Sequence, residues 1–206
     1  MPNWCNNTLE LAHEDPAMLE RARVAFNDGK LCNEFVPVPE DLHIVAGSVG
    51  GPEDEAQIKL VEQGELNRVR YGYTNWYDFC VAEWGTKWDV GGDGMTAELT
   101  EDGRLVMSFD SAWSPPINFY EKMVDLGFSV RAYYYEGGMN FAGIWEDGYD
   151  DFYELASGSE AVREQLPEVL DEMFCISESM ADWEEENLEI DLDGGLSAVN
   201  EQEQLK

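Results

Sequence analysis

The stretch Glu83-Trp84-Gly85-Thr86-Lys87-Trp88-Asp89 places two indoles around a lysine in a chain that is poor in positive charge. It holds two of the 7 tryptophans and one of the 12 basic residues, against 44 acidic residues in the whole chain. Such a cluster forms either a ligand pocket or a cation–π pair that packs a small core. The sequence leaves both interpretations open.

In the pocket interpretation, Trp84, Lys87, Trp88 and Asp89 supply rings, a cation and a carboxylate. The dipeptide Trp113-Ser114 joins them, because it follows a predicted strand and precedes a predicted helix. Ser114 is the expected cap of that helix, and N–H groups at a helix start suit an anion such as phosphate or a carboxylate. The pattern therefore predicts a site for a small anionic ligand or nucleotide.

Segments on both sides of this stretch show the periodicity of regular structure. Alternation and turn residues predict strands at Trp4–Leu11, from Lys87 to Val90, and at Met95–Leu99, Arg104–Phe109, Phe128–Tyr135 and Asn140–Trp145. Asp102-Gly103 is a hairpin signal between two of them. Caps and apolar stripes predict helices from Pro16 towards Gly29, and at Glu53–Val69, Asn75–Glu83, Pro115–Leu126, Ala161–Phe174 and Ser179–Leu188. The prolines within Glu34–Pro39 predict extended chain there.

The order of these elements predicts an α+β fold, a ferredoxin-like split βαβ antiparallel sheet with helices on one face. The predicted domain spans 1–147 and contains an inserted helical segment at about 32–75. Residues 148–206 are predicted to be an acidic helical extension, with a frayed end from Gly194 to Lys206.

The formal net charge of -32 and the sequence pI of about 4.1 restrict the partners of this chain. Such a charge disfavours direct binding to nucleic acid and to anionic membranes, and it favours a basic protein surface. The acidity is consistent with a solvated acidic face, with a saline cytoplasm, or with mimicry of a polyanion.

The sharpest run of acidic residues predicts an interaction surface in the extension, because carboxylates spaced along ordered helices imitate the phosphates of a duplex. A solvated tail is the alternative interpretation. The residues of this surface are Asp182, Glu184, Glu185, Glu186, Glu189, Asp191 and Asp193.

The chain shows no catalytic, metal or cofactor motif. The cysteines Cys5, Cys32, Cys80 and Cys175 form no CxxC pair. His13 and His43 lack the partners that a hydrolase triad needs. No opening signal peptide and no apolar run of about 20 residues is present, so the expected location is the cytoplasm, with free and mostly buried thiols. The sequence defines no oligomeric state.

Four segments together resemble the YubB-type ferredoxin-like family of plasmid and phage proteins, over roughly residues 1–147. They are Asn3-Trp4-Cys5-Asn6-Asn7, Glu83–Asp89, Ala112-Trp113-Ser114-Pro115-Pro116 and Glu136-Gly137-Gly138-Met139-Asn140-Phe141-Ala142-Gly143. The resemblance implies ferredoxin-like topology without an iron–sulfur cluster, and an accessory protein of a mobile element.

Charge and resemblance together yield the leading hypothesis. It is a non-enzymatic phage or plasmid protein that binds a basic surface of a host protein, as a DNA-mimic inhibitor of host defence. The alternatives are a binder of a small anionic ligand or nucleotide through the Trp84–Asp89 region, and a structural protein adapted to high salt.

Overall fold

The structure is a computed structural model that describes residues 3–187. Its strands are β1 (Trp4–Ala12), β2 (Thr96–Leu99), β3 (Leu105–Ala112), β4 (Ser129–Glu136), β5 (Phe141–Glu146) and β6 (Tyr149–Glu154). Its helices are α1 (Pro16–Asn27), α2 (Leu31–Phe35), α3 (Glu55–Tyr71), α4 (Trp76–Glu83), α5 (Ile117–Asp125), α6 (Ser159–Gln165), α7 (Glu168–Phe174) and α8, formed by residues 176–187. The chain divides into two compact units, Met1–Phe152 and Tyr153–Lys206.

The six strands form one sheet in the order β2-β3-β1-β4-β5-β6. The pairs β2–β3, β3–β1, β1–β4 and β4–β5 are antiparallel. Helix α1 and the three helices α2, α3 and α4 lie between β1 and β2 in the chain, and α5 lies between β3 and β4. The predicted α+β class with an antiparallel sheet is confirmed. Within residues 3–187, no helix is both long enough and apolar enough to traverse a bilayer.

One face of the sheet is buried under helices of the first unit. In β1, Cys5, Asn7, Leu9 and Leu11 are buried, while the residues between them are exposed or half-buried. Residues of α1 and α5 pack into the same apolar core, including Phe26, Phe119, Tyr120 and Met123. The period of two in β1 thus separates a core face from an outer face.

The start signal of α1 and the turn signal between β2 and β3 are confirmed. The Asp15 carboxylate accepts a hydrogen bond from the Ala17 N–H, and Pro16 occupies the first turn of α1. Asn75 caps α4 by accepting from the N–H groups of Tyr77 and Asp78. The chain turns between β2 and β3 at Gly103, whose φ is 80°.

Two predictions around the Asp89 loop are wrong. Glu34 and Phe35 belong to α2 and are not extended, because the Asp89 carboxylate accepts from N–H groups of the first turn of α2. Residues Lys87–Val90 form no strand. The side chain of Asp89 accepts hydrogen bonds from α2, and its backbone does not pair with a strand.

Ser114 is not the cap of α5, which begins at Ile117 after Pro116. Its hydroxyl donates instead to the carbonyl oxygen of Gly85, at 2.9 Å. Ser114 therefore links the chain after β3 to the Glu83–Asp89 stretch through a hydrogen bond.

The acidic extension differs from the prediction in two ways. Its first residues form β6 after a turn in which Asp147 and Gly148 have φ of 44° and 98°, values suited to a two-residue hairpin. The single helix expected from Ala161 to Phe174 is two helices, α6 and α7, because Pro167 cannot continue the first. The expected frayed end, Gly194 to Lys206, lies outside the described residues.

The thiols give a simple test of the fold. Cys5, Cys32 and Cys80 are buried and Cys175 is exposed. Burial raises the pKa of Cys5 and of Cys80 to about 12 and that of Cys32 well above its ordinary value. We expect one thiol per native chain to react with iodoacetamide at pH 8, and four after unfolding in urea. Mass spectrometry counts the adducts, and rapid labelling of Cys5 in the native chain would contradict the burial of β1.

Candidate functional site

The four segments that carry the resemblance meet at one end of the sheet. The Trp113 N–H donates to the Asn3 carbonyl oxygen at 2.9 Å, which joins the chain before β1 to the end of β3. Thr86 is buried, and its hydroxyl oxygen accepts from the Ala112 N–H at 3.1 Å. A Cβ at Gly138 would lie 2.5 Å from the Asn3 side-chain nitrogen, so the β4–β5 turn also packs here.

Trp84 and Gly85 fix the Glu83–Asp89 stretch to the core. Trp84 is buried, and its indole N–H donates to the Val36 carbonyl oxygen at 2.9 Å. Gly85 has a φ of 84°, and a Cβ there would lie 3.2 Å from the backbone nitrogen of Ile117. Glycine is needed at this close approach to the start of α5. These two residues hold the framework of the candidate pocket.

Asp89 organises the backbone around it. Its carboxylate accepts from the N–H groups of Cys32 at 2.7 Å, Asn33 at 3.0 Å and Val90 at 2.9 Å. Burial raises the pKa of Asp89, and these donors oppose that shift. Because both oxygens already accept backbone bonds, we assign Asp89 to the support of the site.

Lys87 is surrounded by aromatic rings. Its ammonium nitrogen lies 4.4 Å from the ring centroid of Trp88, 5.6 Å from that of Trp113 and 5.7 Å from that of Tyr77. Trp4 extends the group, with its ring 5.9 Å from that of Trp88. We call Trp4, Tyr77, Trp88 and Trp113 the aromatic patch. The structure thus brings together Lys87, Trp88 and Trp113 of the predicted pocket.

The aromatic patch is accessible and partly strained. Trp4, Trp88 and Trp113 are 48%, 39% and 41% exposed. Trp113 has a φ of 70°, a left-handed conformation that is rare for a residue with a Cβ. Sequence reasoning did not include Trp4 and Tyr77 in the site. Both lie in aromatic-rich segments, but no local pattern shows that residues so far apart in the chain meet.

A cavity of about 450 Å³ lies beside Lys87. Its volume falls within the range of small-molecule sites. Residues of the α1–α2 junction, of the 3-10 turn Glu40–Leu42 and of α4 complete its wall. The lining includes Lys30, Asn33, Glu40, His43, Trp76, Trp84, Lys87, Trp88 and Asp89.

The predicted acidic surface lies partly on α8, within the second unit. Asp182, Glu185 and Glu186 are exposed on this helix. Glu184 is half-buried, and its carboxylate accepts from the N–H and the hydroxyl of Ser159 at 2.9 and 2.8 Å. These bonds lower the pKa of Glu184. The other three predicted residues, Glu189, Asp191 and Asp193, lie outside the described residues.

The arrangement of rings and an ammonium group is suited to binding. Among residues 3–187, no group of three or more His, Cys, Asp or Glu side chains is placed to hold a metal ion. His13 packs on Phe128 and lies within hydrogen-bond distance of the Leu126 carbonyl oxygen, at 3.3 Å. His43 is exposed at the cavity.

Comparison with known proteins gives little further information. No protein-family model and no curated protein matches the chain. Among solved structures, the chain is similar to the crystal structure of a protein api92 from Yersinia pseudotuberculosis, family-model DUF1281. The sequence identity is 12% and the TM-score is 0.41, over 77% of this chain and 99% of that chain. A likeness this distant carries no argument about function.

Proposed function

We propose that this chain is a non-enzymatic binding protein whose acidic second unit docks on a basic surface of a host protein. The observation that carries the proposal is the exposure of Asp182, Glu185 and Glu186 on the ordered helix α8. Arg163 is the single basic residue in the sequence between positions 153 and 187, so few local cations compete for these carboxylates.

Order in the second unit favours tight binding, because carboxylates that are already fixed lose less conformational entropy when a partner docks. Contacts inside the unit supply that order. Glu184 holds the start of α6 through Ser159, and Asp171 accepts from the N–H and hydroxyl of Ser177 at 2.7 and 2.6 Å. Trp183, which is exposed beside the carboxylates, adds an apolar anchor of the kind enriched in interfaces.

In our proposal the partner is a nucleic-acid-binding factor of host defence, and the acidic surface imitates a duplex. A surface that binds phosphates also attracts regularly spaced carboxylates, and the net charge of -32 speeds the encounter. The resemblance to the YubB-type family supports a phage or plasmid origin and a role in the host cytoplasm.

We further propose that the first unit is a ferredoxin-like domain with additions. The order β2-β3-β1-β4, with α1 after β1 and α5 after β3, supports this topology. The helices α2, α3 and α4 are then an insertion before β2, and β5 and β6 extend the sheet beyond β4.

A capture experiment tests the acidic surface. The tagged full chain and the triple variant Asp182→Asn, Glu185→Gln, Glu186→Gln are incubated with nuclease-treated bacterial lysate at physiological salt. We expect a nucleic-acid-binding protein to be retained by the natural chain and lost with the variant. We also expect added duplex DNA to release it, because carboxylates and phosphates compete for one surface.

A matched control separates this surface from net charge. The triple variant Glu14→Gln, Glu62→Gln, Glu121→Gln changes the charge equally at exposed positions of the first unit. It should retain the partner. Equal loss of the partner with both variants, or equal capture by all three proteins, would contradict docking on α8. Such a result would favour the interpretation that the acidity serves only solubility or adaptation to high salt. A partner that DNA does not release would exclude mimicry.

A further inference from the structure

The cavity beside Lys87 is lined by two lysines that form no ion pair with a carboxylate of the described residues. Most basic side chains in residues 3–187 form ion pairs with carboxylates, namely those of Arg21, Arg23, Lys59, Arg68, Arg70, Arg104, Lys122 and Arg131. Within the described range, Lys30, Lys87 and Arg163 form no such pair. Arg163 donates instead to the Ser177 hydroxyl, whereas Lys30 and Lys87 both line this cavity. Acidic residues outnumber basic ones 44 to 12, so two unpaired lysines in one cavity indicate a site for an anion.

The rings hold the Lys87 ammonium in place without satisfying it. Three ring centroids lie within 5.7 Å of its nitrogen, so the side chain is positioned before a ligand arrives. A ring face attracts the cation but offers no oxygen or nitrogen acceptor, so its N–H groups stay available. Lys87 is therefore preorganised for a charge-assisted hydrogen bond.

The wall of the cavity also provides flat apolar surface. The indoles of Trp76 and Trp88 line it, and Trp88 is 39% exposed. Exposed indoles stack on planar rings of many kinds, including nucleobases. A ligand that uses both features combines a planar ring with a phosphate.

We propose that this cavity binds a mononucleotide, with its phosphate between Lys30 and Lys87 and its base against the Trp88 indole. The site differs from the pocket expected from sequence. Trp84 is part of its wall, Asp89 supports the backbone, and Lys30 and Trp76 join it. This proposal does not depend on the proposed docking of α8. A negative result for mononucleotide binding would leave the docking proposal unaffected, and the reverse also holds.

Two acidic groups near the cavity set the expected selectivity. Glu40 is exposed at its edge, and Asp89 accepts three backbone hydrogen bonds. Salt screens the repulsion between the ligand and more distant carboxylates, because the Debye length is about 8 Å at physiological ionic strength. Glu40 is therefore the charge whose removal should strengthen the binding of an anion.

Isothermal titration calorimetry of the full chain with adenosine 5′-monophosphate tests the proposal, with adenosine and inorganic phosphate as partial ligands. We expect the mononucleotide to bind at least about tenfold more tightly than either partial ligand, because each lacks one half of the recognition. Equal affinity for adenosine would exclude the role of the lysines, and equal affinity for phosphate would exclude the role of the indoles.

Variants assign the site to its residues. Lys87→Ala should weaken mononucleotide binding by about tenfold or more, and Lys30→Ala, at an exposed position, should weaken it without loss of thermal stability. Glu40→Gln should tighten binding by about two- to threefold. The control Lys59→Ala removes a lysine that pairs with Glu55 and should have no effect.

Three results would overturn the proposal. They are no heat with any of the three compounds at millimolar concentration, unchanged affinity in both Lys30→Ala and Lys87→Ala, and weaker binding in Glu40→Gln. The last result would show that Glu40 contributes a favourable contact to the ligand, because removing a carboxylate that only repels the phosphate should strengthen binding.

Discussion

Gly91→Ala is expected to lower the free energy of unfolding by about 4 kcal/mol, because backbone strain and a backbone overlap add at this position. Gly91 has a φ of 103°, which side chains other than glycine rarely adopt. An added methyl group would overlap the carbonyl oxygen of Phe26 and lie 2.8 Å from its carbonyl carbon. That oxygen also accepts from the Gly92 N–H at 2.7 Å, so it cannot move freely. Urea denaturation measures the loss.

Gly94→Ala is the matched control. Its φ is 87°, and nothing lies within 4 Å of the added methyl group. It should therefore show conformational strain alone, about 1–2 kcal/mol. An equal loss of unfolding free energy in both variants would contradict the close packing of Gly91 against Phe26 at the end of α1.

Asp89→Ala is expected to cost about 3 kcal/mol, because it leaves three N–H groups without their acceptor. Two of these groups, at Cys32 and Asn33, lie in the first turn of α2, so their amide hydrogen exchange should accelerate most. Urea denaturation and exchange monitored by NMR provide the two measurements.

Asp93→Ala provides the control for this change, because Asp93 is an exposed carboxylate in the same loop. It should alter stability by less than about 0.5 kcal/mol. A similar small loss in Asp89→Ala, with unchanged exchange in α2, would show that Asp89 does not hold this helix.

Local signals in the sequence predict most of the sheet and its flanking helices. Alternation places β1, and Asp15-Pro16 places the start of α1, because both signals act between residues close in the chain. The same logic also contained a signal for β6. Asp147-Gly148 is the same dipeptide as Asp102-Gly103 in the β2–β3 turn, and it directly precedes β6.

Long-range contacts account for what the sequence does not predict. Helix α2 depends on Asp89, which is 57 residues from Cys32 in the chain. Rules that consider only the residues Glu34–Pro39 cannot predict a helix that depends on the distant Asp89 carboxylate. Likewise, the sequence marks Trp4, Tyr77 and Trp113 as aromatic but not as neighbours of Lys87. Only the fold brings these rings together.

The central claim is that carboxylates fixed on α8 bind a basic partner. Its most direct test is the dissociation constant of the captured partner, measured by calorimetry with the natural chain and with Asp182→Asn, Glu185→Gln, Glu186→Gln. We predict at least about tenfold weaker binding by the variant at physiological salt, with an unchanged melting temperature. An unchanged dissociation constant would contradict the claim.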